Sequence, residues 1–408
     1  MTMIEKIAVP LGRAYDRLRL PARAAAELGR DLRGLQPNDP GIDAAVLAGA
    51  QWLCRAQDMS TTRDGGVAKN FNLRTGWTSS YPETTGYIVP TMLAYAKLSG
   101  DASYRERAQR MLDWLASIQF EDGAFQAGAV GAKNLKPVTF NTGQILIGLA
   151  SAVAEFGDPY REPMRRAARW LVDTQAADGS WPHNQSPLVA KPGEKSYDTH
   201  VAWGLFEAAR IEPAAGFGEA GLANVRWALT LQSPNGWFDK CSIKDPATPA
   251  THTLGYALRG VLEGYEFSKD AALLEAARKT ADGMLGALRR DGFLPGRLDR
   301  NWHPAAKWSC LTGNVQNATN WMLMWRHTRE TKYLEAAFVA NRYVRRTLSI
   351  DGDPDTRGAV KGSFPVDGAY DPWMYPNWAT KFMVDSCLLE REIRRQASTP
   401  LTPARCQD

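Results

Sequence analysis

Trp170-Leu171-Val172-Asp173-Thr174-Gln175-Ala176-Ala177-Asp178-Gly179-Ser180-Trp181 ends an amphipathic stretch with a Trp, then a Gln, then an Asp-Gly turn. The same order returns at Trp52, Gln57 and Asp64-Gly65, at Trp114, Gln119 and Asp122-Gly123, and at Trp227, Gln232 and Asn235-Gly236. Asp291-Gly292 and Asp351-Gly352 extend the series to six turns at intervals of 56 to 60 residues. A fixed period marks a supersecondary unit that buries its apolar face by stacking on its neighbours.

Two helices are predicted in each period. Asp39-Pro40, Gly100-Asp101, Asp158-Pro159 and Asp270 open the first of a pair, because a short acidic side chain accepts from the free amides of a first turn. Residues 104–119 and 163–175 then run amphipathically. Residues 86–98, 142–154, 199–209 and 253–264 are apolar nearly all round, as a buried helix is. Six outer and six inner helices predict an all-α fold, an (α/α)6 toroid, with repeats at about 39–100, 101–157, 158–213, 214–269, 270–330 and 331–395. A closed ring has no end repeat needing a polar cap. The expected organisation is a basic amphipathic helical extension over 1–38, a toroidal catalytic domain over 39–395 and a disordered tail over 396–408.

The bulk properties fit a globular enzyme. Of 408 residues, 44% are hydrophobic and 23% charged, ordinary values for a folded domain. A net charge of +5 spread over this length gives no concentrated basic face for nucleic acid. The sequence shows no signal peptide and no membrane-length apolar run. Five scattered cysteines, Cys54, Cys241, Cys310, Cys387 and Cys406, suit a reducing compartment, so a cytoplasmic location is expected. The extension carries Lys6, Arg13, Arg17, Arg19, Arg23, Arg30 and Arg33 among apolar residues. It either touches an anionic membrane surface or packs as an extra helix on the barrel wall, the reading favoured by Glu5, Asp16, Glu27 and Asp31.

The links from outer to inner helices are long, and alternating helix direction puts all of them on one face. Long loops on a rigid scaffold carry function. Seven of the fourteen tryptophans fall there or at inner-helix starts: Trp77, Trp181, Trp237, Trp302, Trp308, Trp373 and Trp378. The aligned position before a shared Thr reads Thr84, Asn141, Asp198, His252 and Leu311. A structural cap tends to repeat, whereas one asymmetric ligand meets a different side chain from each repeat. These seven tryptophans, with Asn141, Gln144, Asn314, Asn317, Asn377 and Lys381, are therefore candidate substrate contacts, although each polar residue also suits a plain cap or turn.

Glu83 and Asp198 are the carboxylates of these clusters, and two carboxylates across a cleft are what glycosidic hydrolysis requires. Tyr81 beside Glu83 favours a raised pKa suited to an acid. His200, His252, Tyr81 and Tyr197 are the alternative acids or bases, for elimination or epimerisation of a uronic acid. Asp239, Cys241 and His252 match zinc donors by type but not by spacing. The loop Asp351-Gly352-Asp353-Pro354-Asp355 alternates carboxylates yet lacks the closing Glu of a calcium loop. No metal and no cofactor are expected.

The Trp170 and Gln175-to-Trp181 phrase resembles the QW-type repeat of α/α-toroid terpene cyclases and prenyltransferases. Similar turns occur in six-hairpin glycosidases, unsaturated glucuronyl hydrolases and related polysaccharide lyases and epimerases. The chain lacks the Asp-x-Asp-Asp motif of the cyclases, and its expected pocket is polar. Sugar hydroxyls satisfy buried polar groups that a hydrocarbon leaves unpaired. The resemblance thus implies a carbohydrate-active enzyme acting on an oligo- or polysaccharide by hydrolysis or elimination. A prenyltransferase-like enzyme and a non-catalytic glycan-binding toroid are the alternatives.

Overall fold

Three of the inner helices are tied to the loop before them by a threonine of their own first turn. The hydroxyls of Thr85, Thr142 and Thr380 accept from the amides of Val67, Phe125 and Val360 at 3.0, 3.0 and 2.9 Å. The structure, a computed structural model, describes residues 20–131 and 135–398. A short helix α1 (Ala22–Leu32) precedes six outer helices: α2 (Ile42–Asp58), α4 (Ala102–Ser117), α6 (Arg161–Asp173), α8 (Phe217–Leu229), α10 (Ala271–Ala287) and α12 (Thr331–Arg345). The inner helices are α3 (Pro82–Ser99), α5 (Thr139–Phe156), α7 (Thr199–Ile211), α9 (Thr251–Ser268), α11 (Leu311–Thr328) and α13 (Asn377–Ser398). Each inner helix packs on the next, and α13 returns to α3, closing the (α/α)6 toroid. The outer helix paired most closely with an inner one is the one that follows it, so α13 takes α2 from the other end of the chain.

Asp101 and Asp270 cap α4 and α10 as expected, accepting from Ser103 and Ala272 at 2.9 and 3.0 Å. Asp39 does not cap a helix. Gly41 is the cap of α2, and Asp39 instead pairs with Arg345 at 2.7 Å, while Arg345 also holds Glu390 at 2.8 Å. That cluster fastens the first outer helix to the last two helices.

The repeated phrase is a staple between neighbouring repeats. Gln119 and Gln175 each donate to the carbonyl of their own turn glycine and to a backbone carbonyl of the next outer segment, at 2.9 to 3.0 Å. The turn glycines lie flat on that helix. A Cβ on Gly123, Gly179 or Gly292 would come within 2.4, 2.5 or 2.2 Å of the carbonyl oxygens of Arg166, Ala223 and Val339. The sixth member is not Asp351-Gly352. Nothing lies within 4 Å of a Cβ at Gly352, whereas a Cβ on Gly358 would come within 2.1 Å of Ala48 O of α2. The last loop is longer than the others, so spacing alone selected the wrong turn. Gly358→Ala is expected to destabilise the fold by about 2 kcal/mol or more, joining positive-φ strain to a backbone clash. Gly352→Ala, strained but unobstructed, should cost about 1 kcal/mol. Urea unfolding of the two variants checks the assignment, and equal losses would refute it.

Two small sheets organise the mouth. β1 (Asn70–Asn72) pairs antiparallel with β2 (Gly76–Trp77) and with β5 (Met374–Pro376), in register Phe71 to Tyr375. β3 (Ser309–Cys310) pairs with β4 (Ser363–Phe364). The sixth loop, 346–376, is thereby joined to the first and the fifth. It is also held from outside by α1: Lys361, 1% exposed, bonds Glu27 at 2.7 Å and also Asp31, and Asp31 accepts from the Val366 amide at 2.8 Å. Arg23 of α1 donates to Leu73 O and lies 5.0 Å over the Phe71 ring. Residues 22–32 of the N-terminal extension are thus a strut on the toroid, and the rest of its basic stretch, 1–19, lies outside the described residues. α13 continues to Ser398, past the expected start of a tail at 396, and 399–408 lie outside the described residues. No described helix is long and apolar enough to cross a membrane.

Candidate active site

The inner helices begin where the long loops end, and a cavity of about 300 Å³ opens there. Pro82 starts α3, which sets Glu83 in the first turn. Glu83, Tyr81, Lys69 and Asp371 line one side of the cavity. Burial pushes the Glu83 carboxyl up to about 7, against the charge of Lys69 and a hydrogen bond from Tyr81. Burial also raises Asp371, with Lys69 and Lys244 opposing it. Lys69 Nζ lies 5.0 Å from the centre of the Tyr81 ring. Two carboxyls thus share one lysine in a low-dielectric cleft, where the charged form is costly.

His252 lines the same cavity. Its Nδ1 lies 2.7 Å from Gln316 Oε1, which leaves Nε2 for the cavity. Burial lowers its pKa to about 4, so the imidazole is neutral. Tyr256 packs between His252 and His200, with ring centres 4.4 and 4.2 Å away. Gln316 and Tyr87 are the polar neighbours of the Tyr256 hydroxyl. Tyr370, above it, takes the Trp378 indole N–H at 2.9 Å.

Of the residues chosen from sequence, the cavity gathers Tyr81, Glu83, Asn141, Tyr197, His252 and Trp378. Asp198 is not among the residues lining the cavity: it is buried beside Lys195 and Gln185, where burial raises it to about 7. His200 lies deeper, bonded to Gln144 at 2.7 Å. Lys381 is buried against Asp385 at 2.6 Å. The asparagines face backward: Asn141, Asn314 and Asn377 donate to the carbonyls of Gln126, Gly292 and Ala68 at 3.0, 3.1 and 2.9 Å, and Asn317 to Gly313 at 2.8 Å. The first three bind loops to helix starts, Asn317 stays within its own helix and also reaches Thr251 O of the neighbouring inner helix at 3.2 Å, and of the four only Asn141 reaches the cavity.

Most of the tryptophans are structural too. Trp181 is buried and donates to Leu171 O at 2.9 Å, and Trp77 donates to Asp355 at 2.9 Å. Trp237 and Trp302 stack edge to face at 5.2 Å. The Trp308 ring lies over Gly296, and Trp373 carries the Arg74 guanidinium at 5.1 Å. An indole fills the wide gap beneath a long loop, so these rings support the face without lining the cavity. Asp239, Cys241 and His252 do not converge: each has its own partner in Arg300, Thr253 O and Gln316. The acidic loop is a polar turn, with Asp353 accepting from the Asp355 amide at 2.9 Å. Asp371, Lys69, Lys244, Arg297 and Tyr256 line the cavity and were not singled out from sequence. Only the aromatic setting of Asp371, between Tyr370 and Trp373, hinted at it.

No protein-family model and no curated protein matches the chain significantly. Its fold is that of several solved structures. An unsaturated glucuronyl hydrolase specific for heparin superposes with a TM-score of 0.70 at 15% identity, covering 88% of this chain and 99% of that one. The unsaturated glucuronyl hydrolase from Bacillus sp. GL1, responsible for degradation of glycosaminoglycan, gives 0.68 at 14%, covering 86% and 97%. A D-mannose isomerase gives 0.69 at 10%, again covering 86% and 97%. At these identities the likeness establishes the six-hairpin α/α toroid, and the reaction has to be argued from the cavity.

Proposed function

We propose that this chain is a carbohydrate-active enzyme that cleaves a glycosidic bond in an oligo- or polysaccharide containing acidic sugars. The observation that carries the reading is Glu83, a carboxyl held near 7 in a cleft that also contains Asp371. A carboxyl protonated at neutral pH gives its proton to the departing glycosidic oxygen while the second carboxylate activates water or attacks carbon. Tyr81 and the charge of Lys69 oppose the rise of Glu83, and Lys69, Lys244 and Arg297 supply positive charge for a uronate. Solved structures of the same fold that carry the name of glucuronyl hydrolase lend the reading support.

His252 favours a second reading. A neutral imidazole with a free Nε2 in the same cavity suits removal of a proton next to a carboxylate or carbonyl, as in elimination or isomerisation. Incubation with neutral and uronic oligosaccharides separates the two. New reducing ends without ultraviolet absorbance support hydrolysis, and an unsaturated absorbing product supports elimination. An isomerised product that disappears in His252→Ala supports isomerisation. Failure to bind or convert any glycan refutes the carbohydrate reading and returns prenyl diphosphates to consideration.

A further inference from the structure

The cavity has two unlike walls. Lys69, Glu83 and Asp371 come from the loops and helix start around α3 and α13, whereas Leu188, Val189 and Ile243 come from loops 174–198 and 230–250, which lead into α7 and α9. In ring order α5 separates these pairs of helices on one side and α11 on the other. The wall bearing Glu83 and Asp371 and the wall bearing these three aliphatic side chains, to which Gln185, Ser186, Ser242 and Lys244 also belong, therefore face each other across the mouth.

The aliphatic patch of that second wall is open to water. Leu188 is 56% exposed although it borders the cavity, and Val189 and Ile243 are half-buried. Hydrogen bonds hold the strap in shape. The Ala190 amide donates to Ile243 O at 2.8 Å, the Val189 amide to Ser186 O at 3.1 Å, and Gln185 Nε2 to Trp181 O at 2.8 Å. Apolar side chains kept exposed beside a polar cleft gain free energy when a ligand covers them. Aliphatic groups of this kind match a hydrocarbon better than a hydroxylated ring. Cations stand at the same cavity: Lys244 follows Ile243 in sequence, and Arg297 is anchored on Thr248 O at 2.7 Å.

We propose that the substrate is an amphipathic glycoside, its sugar seated against Glu83 and Asp371 and its apolar aglycone lying over Leu188, Val189 and Ile243. This rests on the carbohydrate reading and narrows it. Methyl and octyl β-D-glucuronide, the latter below its micelle concentration, are the probes, titrated calorimetrically into wild type and Leu188→Ser/Ile243→Ser. The octyl compound is expected to bind wild type at least about tenfold more tightly than the methyl compound, since several methylenes become covered. That preference should fall below about threefold in the double variant. Equal affinities in wild type, or a preference that survives the double substitution, overturn the proposal. If neither glucuronide binds while the oligosaccharide panel is turned over, the aglycone proposal falls and the carbohydrate reading stands. If the panel fails as well, both fall.

Discussion

Glu83→Gln is expected to lower kcat on the active oligosaccharide by about 10²- to 10⁴-fold, the usual contribution of a positioned general acid. Glutamine keeps the shape and accepts the Tyr81 hydrogen bond but has no proton to give, so substrate affinity should change little. The sign of the pH effect follows from the raised carboxyl. With a value of about 7 in place of the ordinary 4.5, the acid form dominates below neutrality. Activity should then fall as pH rises through 7. That alkaline limb should be missing from the residual activity of Glu83→Gln. Asp371→Asn, tested beside it, should also lose kcat while keeping the limb. A Glu83→Gln variant with more than a tenth of wild-type kcat would remove Glu83 from the acid role.

Lys361→Met is expected to cost about 3–5 kcal/mol of stability, because it leaves Asp31 buried without a cation and Glu27 with Arg30 alone. Glu27 and Asp31 are 7% and 3% exposed. Burial and the charge of Glu27 raise Asp31 despite Lys361. In Glu27, burial is outweighed by Lys361 and Arg30, and its pKa is lowered. The lysine thus balances a pair that cannot both ionise alone. Chemical denaturation of Lys361→Met against Lys361→Met/Glu27→Gln/Asp31→Asn measures this, and the triple variant should recover much of the loss. Equal stability of wild type and Lys361→Met would show that the cluster does not hold α1. The same cluster anchors the loop that carries Asp371, so the single variant should lose activity before it unfolds.

The period-57 phrase was legible because its residues act within one repeat and on the next. Gln119 and Gln175 bridge a turn to the adjoining helix, and the turn glycines allow the two backbones to touch. A local pattern that repeats writes its own architecture, so the toroid and its functional face follow from sequence. Glu83 was legible as well, since Tyr81, Pro82 and the start of a buried helix are its sequence neighbours.

Other parts of the site depend on distances along the chain that no spacing records. Asp371 shares Lys69 with Glu83 only because β5 pairs with β1 across the closure of the ring. Asp198 has the right residue type at the right register, yet it is buried beside Lys195 and is not part of the cavity lining. The sixth turn moved from Gly352 to Gly358 because only contact with Ala48 identifies it. What the sequence by itself determined is the repeat, its helices and the face that bears the site, all set by interactions between residues near in the chain. The tertiary structure alone decided which carboxyls line one cavity, since that depends on how the ends of the chain close the ring and on which groups burial deprives of water.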